Sequence, residues 1–215
     1  MSKYDVILFD LDGTLTDPEL GITTCVQYAL EAQGIHVEDR STLRPFIGPP
    51  LVEGFMTLQG LSREQAEEAT AKYRERFSTV GLYENEVYPG IDGMLEKLKQ
   101  QGKLLGVATS KPEIFALKIL EHFGLDGYFD EITGAELSSG GRNSKVDVLR
   151  CAMDRLGVSD KSRCVLVGDR KYDVEAAKQL GIDSVAVLYG FGSWDEFSGT
   201  VAVAANVSQL EQILL

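Results

Sequence analysis

The chain has 215 residues, of which 44% are hydrophobic and 25% charged, and a formal net charge of −12. This composition is that of a folded globular protein, and the length suits one or two domains. The negative charge disfavours nucleic acid and anionic membranes as partners, because both carry the same sign. Three cysteines and two histidines are too few and too scattered for a disulfide framework or a His-rich metal site. With no signal-like N-terminus and no apolar run of about 20 residues, we expect a cytoplasmic protein.

Short β-branched runs alternate with amphipathic segments along most of the chain. The runs predict strands over residues 5–9, 103–109, 163–168, 183–188 and, more weakly, 201–204. Apolar residues at helical spacing predict helices over 91–101, 112–123, 145–156, 172–180 and 208–214, the last capped by Ser208. This alternation indicates an α/β fold, a Rossmann-like doubly wound parallel sheet with helices on both faces.

One region departs from the alternation. Between about Pro18 and Tyr83 only helical patterns occur, over 21–33, 51–58 and 63–77. The sequence therefore predicts an α/β core domain formed by residues 1–16 and 84–215, with an all-helical domain of residues 17–83 inserted after the first strand.

Four aspartates follow predicted strands. Asp10 and Asp12 come after the first strand, and Asp169 and Asp173 come after the strand over 163–168. Ligands of open parallel sheets bind beyond the carboxyl ends of the strands, so these carboxylates are expected at one edge. An oxygen-rich cluster without His or Cys suits a hard cation, foremost Mg²⁺. Each pair alone also suits a local role, an Asp-Gly turn for the first and a helix N-terminus for the second.

Candidate anion ligands lie on two further segments. Thr109 and Ser110 end a strand and precede a helix, where hydroxyls and unpaired N–H groups favour an anion; capping of that helix by Ser110 is the alternative. Lys145 begins a helix after a Gly- and Ser-rich approach over 138–144, and a cation there opposes the helix dipole unless an anion accompanies it. Arg142 is the second cation of this segment, and the sequence does not choose between them.

Taken together, these residues resemble the motifs of the haloacid dehalogenase-like phosphohydrolases. The family's DxDGT motif is matched by residues 10–14, its motif-two Thr by Thr109, its Lys by Lys145 and its GDxxxD motif by residues 168–173. The four matches occur in order, but Val146 follows Lys145 where relatives more often have Pro. The helical insertion resembles the family's mobile C1-type cap.

This resemblance implies a mechanism. Asp10 is expected to be the nucleophile that forms an aspartyl-phosphate, and Asp12 the general acid and base. Mg²⁺ is expected on Asp10, the backbone carbonyl of Asp12 and Asp169, with Asp173 binding through water or orienting these ligands. Thr109, Ser110 and Lys145 are expected to hold the phosphoryl oxygens.

The resemblance also implies a Mg²⁺-dependent phosphatase for a small phosphate monoester. The cap segment resembles those of phosphoglycolate phosphatases and of related 5′-nucleotidases, so 2-phosphoglycolate and nucleoside 5′-monophosphates are the leading substrates, and the sequence does not choose between them. In the cap, Arg44 lies in a Pro-rich stretch over 44–51, which we interpret as a rigid loop, and is expected to contact the leaving group. Arg44 in a solvated helix–helix turn is the alternative.

Three rival functions follow from the same residues. One is a phosphomutase of the β-phosphoglucomutase type, although Thr14 is more typical of phosphatases. Another is a non-catalytic ligand-binding protein, which the presence of Asp10, Asp12 and Asp169 disfavours. A protein phosphatase is disfavoured because a cap restricts entry to small molecules. We expect a small-molecule phosphate ester as the partner, without nucleic acid or membrane, and a monomer or homodimer.

Overall fold

The computed structural model describes residues 3–137 and 141–215, and its elements alternate as an α/β fold. The strands are β1 Val6–Phe9, β2 Thr16–Asp17, β3 Glu86–Val87, β4 Leu104–Pro112, β5 Glu131–Ala135, β6 Cys164–Gly168, β7 Asp183–Val187 and β8 Ala202–Ala204. The α-helices are α1 Glu19–Ala32, α2 Leu51–Gln59, α3 Arg63–Phe77, α4 Ile91–Gln100, α5 Glu113–Phe123, α6 Lys145–Arg155, α7 Lys171–Leu180 and α8 Val207–Leu214.

A six-stranded parallel sheet forms the centre of the larger unit. Its strand order is β5-β4-β1-β6-β7-β8, and β1 pairs with β4 on one side and β6 on the other. In register, Phe9 lies between Val107 and Val167. The chain moves outward from β1 to β5 and then crosses to the opposite side of β1, so the strand order reverses between β1 and β6. Such a reversal opens a crevice beyond the carboxyl ends of these strands, where ligands bind.

Alternation of side chains across the sheet divides the core into two layers. Val6, Leu8 and Leu166 point to one face, where they pack with buried residues of α6 and α7 such as Leu149 and Ala177. Ile7 and Phe9 point to the other face and are equally buried. Burial on both faces explains why β1 reads as a continuous apolar run.

Most predicted elements are present with bounds shifted by one or two residues, and the structure differs from the sequence analysis in three details here. The cap of α8 is Asn206, whose side chain accepts from the N–H of Gln209, instead of Ser208. Ser110 does not cap α5, because β4 continues to Pro112, the residue before that helix. The strand β5 was not predicted at all, since its sequence EITGA contains a glycine and only one apolar β-former, Ile132.

Contacts divide the chain into two compact units, residues 1–16 with 87–215 and residues 17–86. The short strands β2 and β3 form a separate two-stranded sheet at the two points where the chain passes between units. None of the helices in the described part of the chain is long and apolar enough to cross a membrane.

The second unit, residues 17–86, is mainly helical. Its α3 begins with a capping box, in which Ser62 accepts from the N–H of Gln65 and the Gln65 side chain accepts from the N–H of Ser62. A 3-10 helix over Arg40–Phe46 contains Arg44 and Pro45. The first part of the segment over 44–51, which was expected to be a rigid loop, is therefore helical. Pro45 is tolerated there because so short a helix has few backbone hydrogen bonds to lose.

Candidate active site

The residues predicted to carry chemistry converge at the carboxyl end of the sheet. Asp10 directly follows β1, and Asp169 directly follows β6, its neighbour in the sheet. Asp173 lies in the first turn of α7. One carboxylate oxygen from each of these three side chains lies within 4.8 Å of the others.

Lys145 binds two of these three carboxylates. Its Nζ lies 2.9 Å from Oδ1 of Asp10 and 2.7 Å from Oδ1 of Asp173, and the residue is buried. The N–H of Leu11 also donates to Oδ1 of Asp10, at 2.8 Å. These contacts hold Oδ1 of Asp10 and leave Oδ2 as the oxygen available for an electrophile. The carboxylates of Asp10 and Asp173 also supply the negative charge that offsets the unfavourable interaction of Lys145 with the positive end of the helix dipole.

Asp169 is held by a loop that follows β7. The backbone N–H of Phe191 donates to Oδ2 of Asp169 at 2.8 Å, whereas Oδ1 is buried and has no hydrogen-bond partner within residues 3–137 and 141–215. A Cβ added at Gly190 would lie 2.5 Å from Oδ2 of Asp169, and one at Gly13, which has φ of +77°, would lie 2.1 Å from it. Both positions therefore need glycine, because any side chain there collides with Asp169.

Asp12 forms an ion pair with a second lysine, Lys111. Its Oδ2 lies 2.8 Å from Nζ of Lys111, and both side chains are largely buried. Lys111 was not assigned a role from the sequence. Its place two residues after Thr109, near the carboxyl end of β4, put Lys111 close to the predicted site, but the sequence did not indicate its partner.

Burial and mutual repulsion raise the pKa of several of these acids. Desolvation, reinforced by Asp173 and Asp10, raises the pKa of Asp169 well above its ordinary value. Desolvation raises the pKa of Asp173 to about 6, although Lys145 opposes the shift. Desolvation also raises the pKa of Asp12, against the attraction of Lys111. Although burial lowers it, the carboxylates of Asp10 and Asp173 raise the pKa of Lys145 above its ordinary value.

The donor set fits a divalent cation. Four carboxylates against the ammonium groups of Lys111 and Lys145 leave a formal charge of −2 in the cluster. Oδ1 of Asp169 is buried and has no partner among the residues that the structure describes, which is energetically costly without a ligand. All of the candidate ligand atoms are oxygens, which suits Mg²⁺ better than softer metals.

Of the candidate phosphate-binding residues, some lie near the aspartates, and Arg142 pairs with other acids. Thr109 is buried near the carboxyl end of β4, and its Oγ1 accepts from the N–H of Lys111 at 3.2 Å. Ser110 is half-buried beside it, where the pairing of β4 with β5 shifts register. Of the two cations left open by the sequence, Lys145 contacts the aspartates, while Arg142 forms ion pairs with Glu113 and Glu136.

Arg44 lies in the second unit. Its Nε donates to Oε1 of Glu19 at 2.7 Å, and its side chain is 59% exposed. The role predicted for Arg44 in substrate choice stays a prediction.

Comparison with known proteins gives the family. The model of the family "Haloacid dehalogenase-like hydrolase" matches residues 7–187. The chain is similar to a protein named 5′-nucleotidase from Pseudomonas aeruginosa, with 45% identity over 99% of this chain and 96% of that protein. It is also similar to the tyrosine-protein kinase PtkA of Mycobacterium tuberculosis, at 40% identity over 97% of this chain and 72% of the kinase.

More distant and structural relatives agree with this assignment. A phosphoglycolate phosphatase of Xanthomonas campestris is 30% identical over 88% of this chain and 86% of that protein. The crystal structure of a predicted phosphatase from Clostridium acetobutylicum superposes with a TM-score of 0.93, at 44% identity and 98% coverage of both chains. The chain belongs to the haloacid dehalogenase-like hydrolases. Within them it is a phosphoric monoester hydrolase, which confirms the family, fold and class of enzyme predicted from the motifs.

Proposed function

We propose that the protein is a Mg²⁺-dependent phosphatase that hydrolyses a small phosphate monoester, foremost a nucleoside 5′-monophosphate, through an aspartyl-phosphate on Asp10. The observation that carries the proposal is the partition of the four aspartates. Lys145 and three of them form one cluster, while Asp12 pairs separately with Lys111. Asp10 and Asp12 therefore lie in different surroundings, which allows one carboxylate to act as a nucleophile and the other as an acid and base.

The first step uses Asp10 and Asp12. Because Oδ1 of Asp10 is held by Lys145 and Leu11, Oδ2 attacks phosphorus. The bond between phosphorus and the ester oxygen breaks, and that oxygen takes a proton from Asp12. The raised pKa of Asp12 suits it to hold this proton in the buried site.

The second step reverses the role of Asp12. Now ionised, Asp12 takes a proton from water as the water oxygen attacks phosphorus. The bond between phosphorus and Asp10 breaks, which releases inorganic phosphate and regenerates both carboxyls. Lys145 stays beside Asp10 throughout and stabilises the negative charge that develops on the transferring phosphoryl group.

Asp10, the backbone carbonyl of Asp12 and Asp169 would hold Mg²⁺, with Asp173 orienting Lys145 beside them. When bound, the ion supplies a positive charge that offsets the carboxylates and the phosphate dianion. The loop containing Phe191 holds Oδ2 of Asp169, so Oδ1 would be the oxygen that binds the cation.

The proposed substrate class rests on similarity over the full length. The relative named 5′-nucleotidase covers nearly the whole chain, so a nucleoside 5′-monophosphate is the first substrate to test. Phosphoglycolate is the second, on the more distant relative of that name. We further propose that residues 17–83 act as a cap domain that selects among such esters.

The test is release of inorganic phosphate from a panel of nucleoside 5′-monophosphates, 2-phosphoglycolate and sugar phosphates, with Mg²⁺ present. We expect one ester to be preferred and Asp10→Asn to lower its turnover by more than about 10³-fold, because the nucleophile is lost. Asp126→Asn is the matched control, since it makes the same change at an exposed aspartate outside the site and is expected to keep full activity.

Two outcomes would contradict the proposal. Full activity after removal of divalent metal by a chelator would contradict the role of Mg²⁺, because the carboxylates would then need no cation. Appreciable turnover by Asp10→Asn would contradict the aspartyl-phosphate. Absence of hydrolysis of every ester by the wild-type protein would instead favour phosphoryl transfer to another acceptor, as the name of the kinase relative suggests.

A further inference from the structure

We propose that Lys111 is a positioning residue for Asp12: by holding Oδ2, it makes Oδ1 the oxygen that delivers the proton to the leaving group. This inference rests on the proposed function and adds to it a residue outside the matched motifs. It assigns a chemical role to each oxygen of one carboxyl group.

The contact itself is short and shielded from water. Nζ of Lys111 lies 2.8 Å from Oδ2 of Asp12, and the two side chains are 5% and 15% exposed. Oδ1 of Asp12 is buried and has no hydrogen-bond partner in the part of the chain that the structure describes. The two oxygens of Asp12 are therefore in different surroundings before any substrate binds.

The chemistry of an ammonium group determines where the proton of Asp12 resides. A lysine ammonium donates hydrogen bonds and accepts none. A proton on Oδ2 would point at the hydrogens of Nζ, so a protonated Asp12 carries its proton on Oδ1. When the bond from phosphorus to the ester oxygen breaks, the proton moves from Oδ1 to that oxygen, and the resulting carboxylate remains paired with Lys111.

The backbone of β4 fixes the position of Lys111. The N–H of Lys111 donates to Oγ1 of Thr109, and the pairing of β4 with β5 shifts register between Thr109 and Pro112. A bulge of this kind re-aims the side chains next to it. Gly134 lies against this stretch so closely that a Cβ there would be 2.6 Å from the carbonyl oxygen of Lys111. Lys111 is thus held by its main chain as well as by Asp12.

The rival role for Lys111 is direct binding of the phosphoryl group, and leaving groups distinguish the two roles. Adenosine 5′-monophosphate has a poor leaving group that needs the proton of Asp12. p-Nitrophenyl phosphate has a good leaving group that departs without it. In rapid-mixing experiments, the first release of nitrophenolate reports formation of the phosphoenzyme alone, and steady turnover also reports hydrolysis assisted by Asp12.

We expect Lys111→Met to lower kcat for adenosine 5′-monophosphate by about 10²-fold, the lower end of general acid–base effects. The rate of the nitrophenolate burst is expected to stay within about threefold of wild type, because phosphoryl binding is unchanged. In an Asp12→Asn background, Lys111→Met is expected to have little further effect, since the residues act as a unit. Lys111→Arg keeps a charged donor and is expected to recover most of the lost turnover.

Lys103→Met is the matched control for removing a buried lysine. Lys103 lies just before β4, is 8% exposed and donates to the carbonyl oxygen of Tyr4, away from the aspartates. It is expected to keep the activity of wild type, so a loss specific to Lys111→Met is a property of the site. If Lys111→Met does not fold, Lys111→Ala replaces it in both the wild-type and the Asp12→Asn backgrounds, and the same comparison is made.

Three results would overturn the proposal. A burst slowed as much as the turnover of adenosine 5′-monophosphate would assign Lys111 to the phosphoryl group, as would a raised KM at unchanged kcat for both esters. If Lys111→Met lowered kcat as much in the Asp12→Asn background as in the wild-type protein, Lys111 would act independently of Asp12. Failure of the proposed function is a separate outcome, recognised when the wild-type protein gives neither a burst nor phosphate release.

Discussion

Replacing Gly190 by alanine tests how the site holds Asp169. The added Cβ would lie 2.3 Å from the carbonyl oxygen of Gly13 and 2.5 Å from Oδ2 of Asp169, where ordinary contacts are 3.4–4 Å. The loop or Asp169 must therefore move by about 1 Å. Such overpacking costs typically about 1–3 kcal/mol of the free energy of unfolding. It also disturbs the hydrogen bond from Phe191 to Asp169.

We expect this disturbance to weaken binding of Mg²⁺ by about tenfold or more, the usual effect of losing a partner that orients a metal ligand. Calorimetric titration with Mg²⁺ gives the dissociation constant, and urea unfolding in the presence of a chelator gives the stability without metal.

The control for Gly190→Ala is Gly93→Ala in α4, where an added Cβ meets nothing within 4 Å. That substitution is expected to raise the free energy of unfolding by about 0.5–1 kcal/mol, because alanine loses less conformational freedom in a helix. Unchanged Mg²⁺ affinity and unchanged stability in Gly190→Ala would refute the reasoning. Loss of stability alone would show that the loop packs against Asp169 without orienting a metal ligand.

Two further predictions concern the second unit. Arg76 pairs with both oxygens of Glu84, at 2.6 and 2.9 Å, and this lowers the pKa of Glu84 below its ordinary 4.5. The ion pair therefore stabilises the fold above pH 4.5, and this stabilisation is lost as the pH falls through the lowered pKa of Glu84. We expect Glu84→Gln to lower the free energy of unfolding by about 1 kcal/mol at pH 7 and by less at pH 3, as measured by urea unfolding. Arg44→Ala is expected to change kcat/KM for the preferred ester severalfold more than for phenyl phosphate, and equal losses on both would contradict a role in substrate choice.

Much of the site could be predicted from the sequence because its residues follow strands. Asp10 and Asp169 each come directly after an apolar run, and parallel strands bring their carboxyl ends to one edge. Lys145 was marked by its position at the start of a helix, where a cation needs a nearby anion. In these cases local pattern and topology give the same answer.

The remainder depends on contacts between segments that have no local signature. The pairing of Lys111 with Asp12 joins residues about a hundred positions apart, and nothing in either segment specifies it. The N–H of Phe191 has no side-chain identity to recognise, although it orients Asp169. Arg44 stood out because of its neighbouring prolines, yet the structure pairs it with Glu19, a contact the sequence did not indicate.

The central position of β1 has a consequence for how the molecule assembles. Val6 pairs with Leu104 on one side and with Cys164 on the other, so both partners of β1 lie far along the chain from it. Such non-local pairings slow folding, because the chain loses loop-closure entropy before the favourable contacts between the strands form. A nascent chain that has not yet produced β6 leaves one edge of β1 unpaired and lacks Asp169 and Asp173 altogether. The acidic cluster can therefore form only after the chain has been synthesised past Asp173 and β6 has paired with β1.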